Sequence, residues 1–243
     1  MMNEELVSHK TDTGRDYKGI PIHAASNLHE TVASTINELI PSGNDVLELA
    51  AGSGAMSCRL SDLGYNITAI DLDETSWQCE NIDLIKADFN EVGWYRTAVN
   101  KKYSLVVAME VIEHLENPKE FIRSLYEVTK PGGLVIITTP NIFCADSVNN
   151  LIRRSRLYGF DENQYFESGH ISIVPLWMLE LFAKEAGFNI NVKKMVGRMD
   201  KTPLRLILVK LLNYFLKLVR KNEQCEVIDD GIISLIVLEK PNI

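Results

Sequence analysis

Apolar positions recur along the chain in two alternating rhythms. Between Ala25 and Ile40 they fall at Leu28, Val32, Ile36, Leu39 and Ile40, the three-and-four spacing of one helix face, and the run stops before Pro41 and Gly43. The short run "DVLELA" follows and ends in "AGSG"; its unbroken apolar character predicts a strand entering a glycine turn. An amphipathic stretch to Leu63 predicts a helix, and "NITAID" a second strand that ends in an acid. The alternation continues with "LIKADF", with "YSLVVAM", with a helical stretch through Phe121, Leu125 and Val128, and with "PGG" leading into the strand "LVIITT". Pro175 opens a helix over Leu176–Ala186, because the first-turn amide has no partner within the helix, and Gly187 ends it. Two last strand-like runs cover Asn189–Val196 and Ile232–Glu239. Repeated strand–helix units predict an α/β domain, a parallel sheet with helices on both faces.

One segment breaks the rhythm. Between the last two strands, within residues 198–226, "PLRLILVKLLNYFLKLVRK" sets Leu204, Ile207, Leu208, Leu211, Leu212, Phe215, Leu218 and Val219 on one helical stripe. Its only charges are Arg205, Lys210, Lys217, Arg220 and Lys221. Three readings stand for this 203–221 helix: packing on the core or a second subunit, docking on the surface of a membrane, and contact with nucleic acid. It carries too much charge for a membrane span.

The 243 residues, 46% hydrophobic and 24% charged, suit one globular domain over 1–243. A formal charge of -8 argues against bulk electrostatic binding of nucleic acid. Cys58, Cys79, Cys144 and Cys225 form no C-x-x-C pair, which fits neither a zinc ribbon nor a disulfide-stapled secreted domain, and implies a reducing compartment. Residues 1–24 contain no signal-like apolar run and read as a tail or lid, so a cytoplasmic protein is expected, peripheral to the inner membrane face if the basic helix docks there.

Chemistry concentrates at the ends of the strands. In "LELAAGSGAMS", Gly52 and Gly54 lie where strand becomes helix, so a ligand can approach the backbone and meet free N–H groups; an ordinary turn would read the same. Asp71, ending the next strand, suits ribose hydroxyls. Ser57 stands where a dinucleotide fold would carry its third glycine, and no G-x-x-x-x-G-K-[ST] run occurs, which leaves a nucleoside ligand without pyrophosphate. In "MEVIEHLENP", Glu110, Glu113 and His114 have the spacing that groups side chains on one helix face.

Four pieces in order, "VLELAAGSG", "ITAIDLD", "KADF" and "AMEVIEHLENP…FIRSLYEVTKPGGLVIITTPN", make the chain resemble the class I S-adenosylmethionine-dependent methyltransferases. The resemblance implies a Rossmann-like, doubly wound, mostly parallel seven-stranded sheet. It implies that Glu48 and the Ala50–Gly54 turn, Gly52 included, face the methionine part of S-adenosyl-L-methionine and Asp71 the ribose. Leu72 would pack on the adenine, Asp88 and Phe89 lie at its edge, and Met109 and Glu110 close the sulfonium side. The family's D-x-G-x-G-x-G turn here has Glu48 for its acid and Ala50 for its first glycine. Alanine is compatible there provided the backbone needs no positive φ.

A methyl already activated as a sulfonium leaves the enzyme to align an acceptor and remove its proton. His114 and His170 are the candidate bases, since an imidazole titrates near roughly pH 6.5. Glu113 joins them, because quinone-pathway O-methyltransferases and small-RNA 2′-O-methyltransferases share the Glu-x-x-Glu-His pattern. There the pattern can hold a divalent cation, for which Glu110, Glu113, His114 and His170 would be the ligands here; many relatives need none, and none is expected. The bland alternative is a charged helix start. Residues 141–174 would cover the acceptor, with Arg153, Arg154 and Arg156 for an anion and Tyr158, Phe160, Tyr165 and Phe166 for a sugar or base face. The expected function is O-methylation of a small-molecule or sugar- or nucleotide-linked acceptor, as in surface-polysaccharide biosynthesis. The rivals are a quinone-precursor or RNA-ribose O-methyltransferase and a catalytically silent cofactor-binding partner protein.

Overall fold

A computed structural model describes residues 15–198, 211, 214 and 231–242. The chain enters through a small antiparallel hairpin, β1 (Asp16–Tyr17) and β2 (Ile20–Pro21), and then α1 (Leu28–Leu39). Five parallel strands follow: β3 (Asp45–Leu49), β4 (Asn66–Asp71), β5 (Leu84–Lys86), β6 (Tyr103–Met109) and β7 (Thr129–Pro140). The sheet is completed by β8 (Asn189–Arg198) and β9 (Gly231–Glu239), with β9 antiparallel to both β7 and β8. The order β5-β4-β3-β6-β7-β9-β8 is the expected mostly parallel, seven-stranded sheet. Its direction of winding reverses between β3 and β6, and ligands of such sheets bind in the crevice at that point, beyond the carboxyl ends of the strands.

Helices α2 (Ala55–Asp62), α3 (Tyr95–Ala98), α4 (Pro118–Val128), α5 (Ala145–Arg154) and α6 (Leu176–Ala186) complete the fold. Strand alternation divides the core into two layers. Val46, Leu105, Val107 and Ile136 point to the side of α1 and α2, while Leu47, Leu49, Val106 and Ile137 point to the side of α4 and α6. The fully buried Ile122 and Leu125 anchor α4, each contributing about 1.5–3 kcal/mol. That helix starts where Pro118 follows Asn117, whose side chain accepts from the Glu120 amide. Gly187, at φ 101°, ends α6 as expected.

Two features depart from the sequence reading. Cys58 on α2 and Cys79 in the loop after β4 are joined by a disulfide, so the scattered spacing hid one pair. Cys144 is buried, and its sulfur accepts from the Ser147 amide at the start of α5. The β1–β2 hairpin is clipped onto α2, with the Tyr17 hydroxyl donating to Asp62 at 2.7 Å and the Arg59 guanidinium 4.3 Å from the Tyr17 ring. Beyond Arg198 the basic insertion lies outside the described residues, apart from Leu211 and Tyr214, which are exposed. No helix among the described residues is long and apolar enough to cross a membrane.

Candidate active site

The turn from β3 into α2 puts three residues in the left-handed region: Ala50 at φ 56°, Gly52 at φ 55° and Gly54 at φ 89°. A β-carbon on Gly52 would meet nothing within 4 Å, so this backbone faces open space. One on Gly54 would lie 2.8 Å from the Cys79 β-carbon and 2.9 Å from the Trp77 ring, so this glycine serves close packing. Ala50 adopts the positive φ that its compatibility was expected to exclude, so the strain of that conformation is built into the turn.

Asp71 ends β4, and its Oδ2 accepts from the Gly52 amide at 2.8 Å while Oδ1 accepts from the Asp73 amide at 2.9 Å. The carboxylate thus fixes the glycine turn and keeps lone pairs over for a further donor. Glu48 faces α2 and accepts from the Ser57 hydroxyl. Burial pushes its pKa up to about 8, the Ser57 bond opposing and nearby Asp71 adding to the rise. Past Asp71, Leu72 is 55% exposed. Asp88 caps its own turn by accepting from the Asn90 amide, and Phe89 packs edge-on against Trp94 with centroids 4.9 Å apart.

The Glu-x-x-Glu-His stretch is not one helix face. Glu110 leaves β6 at φ 49°, and only Ile112–His114 form a short 3-10 turn. Two hydroxyls at the end of β7 hold the acids: Thr138 donates to Glu110 at 2.9 Å and Thr139 donates to Glu113 Oε2 at 3.1 Å. Sequence reading missed both threonines, although "ITTP" puts two hydroxyls at the end of the strand paired with β6. Burial raises the pKa of both acids, and Glu110 adds to the rise at Glu113.

His170 comes to His114 across the pocket, the rings edge to face with centroids 4.8 Å apart. The ligand-type atoms of Glu113, His114 and His170 lie within 4.8 Å of one another, as a cation site would require. Glu113 Oε1 is buried and has no hydrogen-bond partner, while Oε2 is the oxygen that Thr139 holds. Burial, then repulsion from His170, lowers the His114 pKa, against opposing carbonyl contacts, which favours the neutral ring.

A cavity of about 1300 Å³ joins these parts. Glu48, Ala50, Gly52, Met109, Glu110, His114 and His170 line it; Gly54, Asp71, Leu72, Asp88, Phe89 and Glu113 lie outside its wall. The hairpin contributes Pro21, the link after it His23, and α1 His29. The expected acceptor cover contributes Tyr158, Gly159, Gln164, Glu167 and Ser168, but none of its arginines. Arg156 is instead paired with Glu162, Arg153 and Arg154 are exposed, and Phe166 is 83% exposed, because the whole last turn of α5, Leu151 and Ile152 included, and the segment after it face outward. Among the described residues no lysine or arginine lines the cavity.

Comparison with known proteins agrees with this geometry. The methyltransferase domain model matches residues 24–193. A ubiquinone biosynthesis O-methyltransferase of Rickettsia typhi is 34% identical over 101 residues, 40% of this chain and 41% of that protein. The chain therefore spans less than half the length of that relative, and likewise 48% of the Rickettsia canadensis one. The Rickettsia prowazekii protein of the same name is 25% identical over 218 residues, covering 85% of this chain and 82% of that one. Among solved structures, an S-adenosylmethionine-dependent methyltransferase from Archaeoglobus fulgidus superposes with a TM-score of 0.57 at 17% identity, over 87% of this chain and 94% of that one. Glycine turn, acidic strand end and seven-stranded order are all accounted for if the chain belongs to the class I S-adenosylmethionine-dependent methyltransferase family, and the match over residues 24–193 shows that it does.

Proposed function

We propose that the protein transfers the methyl group of S-adenosylmethionine to a hydroxyl oxygen of a small, uncharged acceptor. One observation carries this reading: Glu113, His114 and His170 converge beside the cavity that the Gly52 turn also lines. The cofactor, when bound, supplies an electrophilic methyl on a sulfonium. Gly52 offers an unobstructed backbone, Gly54 keeps the turn tight, and Glu48 and Ala50 form the floor toward the methionine group. Asp71 has lone pairs left for ribose hydroxyls, and the exposed Leu72, with Asp88 and Phe89, suits an adenine edge. Met109 and Glu110 close the sulfonium side, and the hairpin with residues 22–24 acts as a lid.

His114 and His170 are the bases. Either one, through a free imidazole nitrogen, takes the acceptor's hydroxyl proton as that oxygen is alkylated. A divalent cation also fits: Glu113, with its orphan oxygen, and the two imidazoles would hold it, and it would lower the pKa of a bound hydroxyl. Among the described residues the wall holds no lysine or arginine, which speaks against sugar nucleotides and RNA. The names of the relatives favour a phenolic quinone precursor. A neutral glycan remains the second reading, favoured by Gln164, Glu167 and Ser168 on the acceptor side.

The test is transfer from labelled S-adenosylmethionine to catechols, neutral sugars, sugar nucleotides and RNA ends, with Mg²⁺ or with chelator. Turnover is expected on neutral diols alone. Absence of cofactor binding sinks the reading, and tight cofactor binding without any turnover favours the silent partner protein.

A further inference from the structure

The two histidines differ from the acids beside them in where their second polar atom goes. The acids are held by β7, but the imidazoles are held by the backbone of the cover. His170 Nδ1 lies 2.6 Å from the Gly159 carbonyl oxygen and His114 Nδ1 lies 3.2 Å from the Gly169 carbonyl oxygen. A carbonyl only accepts, so in a neutral ring the nitrogen facing it carries the proton and Nε2 keeps its lone pair.

We infer that Gly159 and Gly169 are positioning residues: their carbonyls lock His170 and His114 as Nδ1–H tautomers and so leave both Nε2 lone pairs available to the acceptor. This deepens, and rests on, the reading of the histidines as bases. Three observations support it. Both glycines are left-handed, at φ 78° and φ 73°, in the one segment that covers the cavity. Gly169 ends the π-turn Gln164–Ser168, a rare backbone form that is concentrated at functional sites. Beyond His170, the Ile171 and Ser172 amides both donate to the Glu113 carbonyl at 2.9 Å, so the strap that carries one ring is tied to the turn that carries the other. With the rings edge to face at 82°, a flip of either breaks its carbonyl bond and the ring contact together.

Space is not what requires glycine. A β-carbon would lie 3.5 Å from His114 Nδ1 at Gly169, and 3.4 Å from Pro140 and 3.8 Å from His170 Nδ1 at Gly159, all ordinary contacts. Backbone φ is the requirement, and asparagine tolerates the left-handed region better than alanine despite its greater bulk. Gly159→Asn and Gly169→Asn should therefore be milder than Gly159→Ala and Gly169→Ala, the reverse of the order that crowding gives.

The experiment is long-range proton–nitrogen NMR on the full chain with nitrogen-15 histidine at neutral pH, metal-free, beside calorimetric binding of S-adenosylmethionine. In the wild type both rings should be Nδ1–H. The alanine variants should lose this preference and about 10- to 100-fold in methyl transfer, as for about 1 Å of misplacement, with cofactor affinity within about twofold. The asparagine variants should retain more of both. Nε2–H in either wild-type ring overturns the inference, as do alanine variants that keep the Nδ1–H form, or asparagine variants worse than alanine. If the tautomers respond as stated while the wild type methylates no acceptor, positioning stands and the methyl-transfer reading falls.

Discussion

Ala50 holds a backbone angle, φ 56°, that costs a residue with a β-carbon about 1–2 kcal/mol where glycine pays little. Ala50→Gly should stabilise the protein by about 1 kcal/mol after the extra chain entropy of glycine is subtracted. A urea midpoint that rises at constant slope is the expected outcome; an unchanged midpoint would mean that the turn is not strained. Glu48 gives a second expectation, this one pH-dependent. Its folded pKa, about 8, lies above the ordinary glutamate value of 4.5, so the folded state holds the proton more tightly than the unfolded state. The stability it lends is full below about pH 4.5 and is lost as pH rises through 8. Glu48→Gln keeps an acceptor for Ser57 and removes the titration. Its thermal advantage over wild type, measured without cofactor, should widen from pH 5 to 8, at about 1.4 kcal/mol per pKa unit, and then level off. A gap that narrows with pH would reverse the assignment. The acid and the glycines were legible in the sequence, because a turn that admits a ligand has few residue solutions. The sign of φ at Ala50 was not, since it depends on how the chain leaves β3.

At the level of elements, the strands were legible because a strand covered on both faces is a near-continuous apolar run, as "LVVAM" and "LVII" are. α5 was not, because "ADSVNNLIRR" is short and polar on average, and its apolar Leu151 and Ile152 stay exposed rather than marking a buried face. Nor was the role of β7 in the site: Thr138 and Thr139 meet Glu110 and Glu113 only because β7 pairs in parallel with β6. Thr139→Val should leave the Glu113 carboxyl without its hydroxyl donor and cost about 1–3 kcal/mol, whereas Thr139→Ser should restore the bond. Equal melting of the two variants would show that the bond contributes nothing. Cysteine pairing was hidden for a similar reason, since a separation of 21 residues says nothing about distance until α2 and the loop after β4 are packed together. In the chain-entropy picture, closing that loop contributes about 3 kcal/mol. Reductant should therefore lower the melting temperature of the wild type and leave Cys58→Ser unchanged. A wild type insensitive to reductant would mean that the pair contributes no stability.

For the whole molecule, strand order decides which ends share a crevice, and charge decides what enters it. The chain winds outward through β3, β4 and β5 and returns to β6 on the other side of β3, which brings the glycine turn and Glu110 to one cavity. The sequence contained that reversal only through its likeness to a family; periodicity alone does not order strands. Charge was legible from composition, and the cavity sharpens it. A net charge of -8 surrounds a wall that carries, among the described residues, no lysine or arginine, while Glu48 and Glu110, raised by burial to about 8 and about 7, hold only part of that charge at neutral pH. Anionic acceptors are therefore repelled on approach and find no partner on arrival, while neutral diols meet neither obstacle. Added salt screens the repulsion, since the Debye length falls from about 10 Å at 0.1 M to about 3 Å at 1 M. The specificity constant for a neutral acceptor should thus be flat with ionic strength. Any residual transfer to a sugar nucleotide should rise, because only repulsion is being screened. An RNA-directed enzyme would behave in the opposite way, losing affinity steeply as counterions compete for the phosphates. Initial rates across a salt series, with one neutral and one phosphorylated acceptor, separate these cases. A steep fall for the phosphorylated acceptor would mean that a cation meets its phosphate, and would overturn the repulsion.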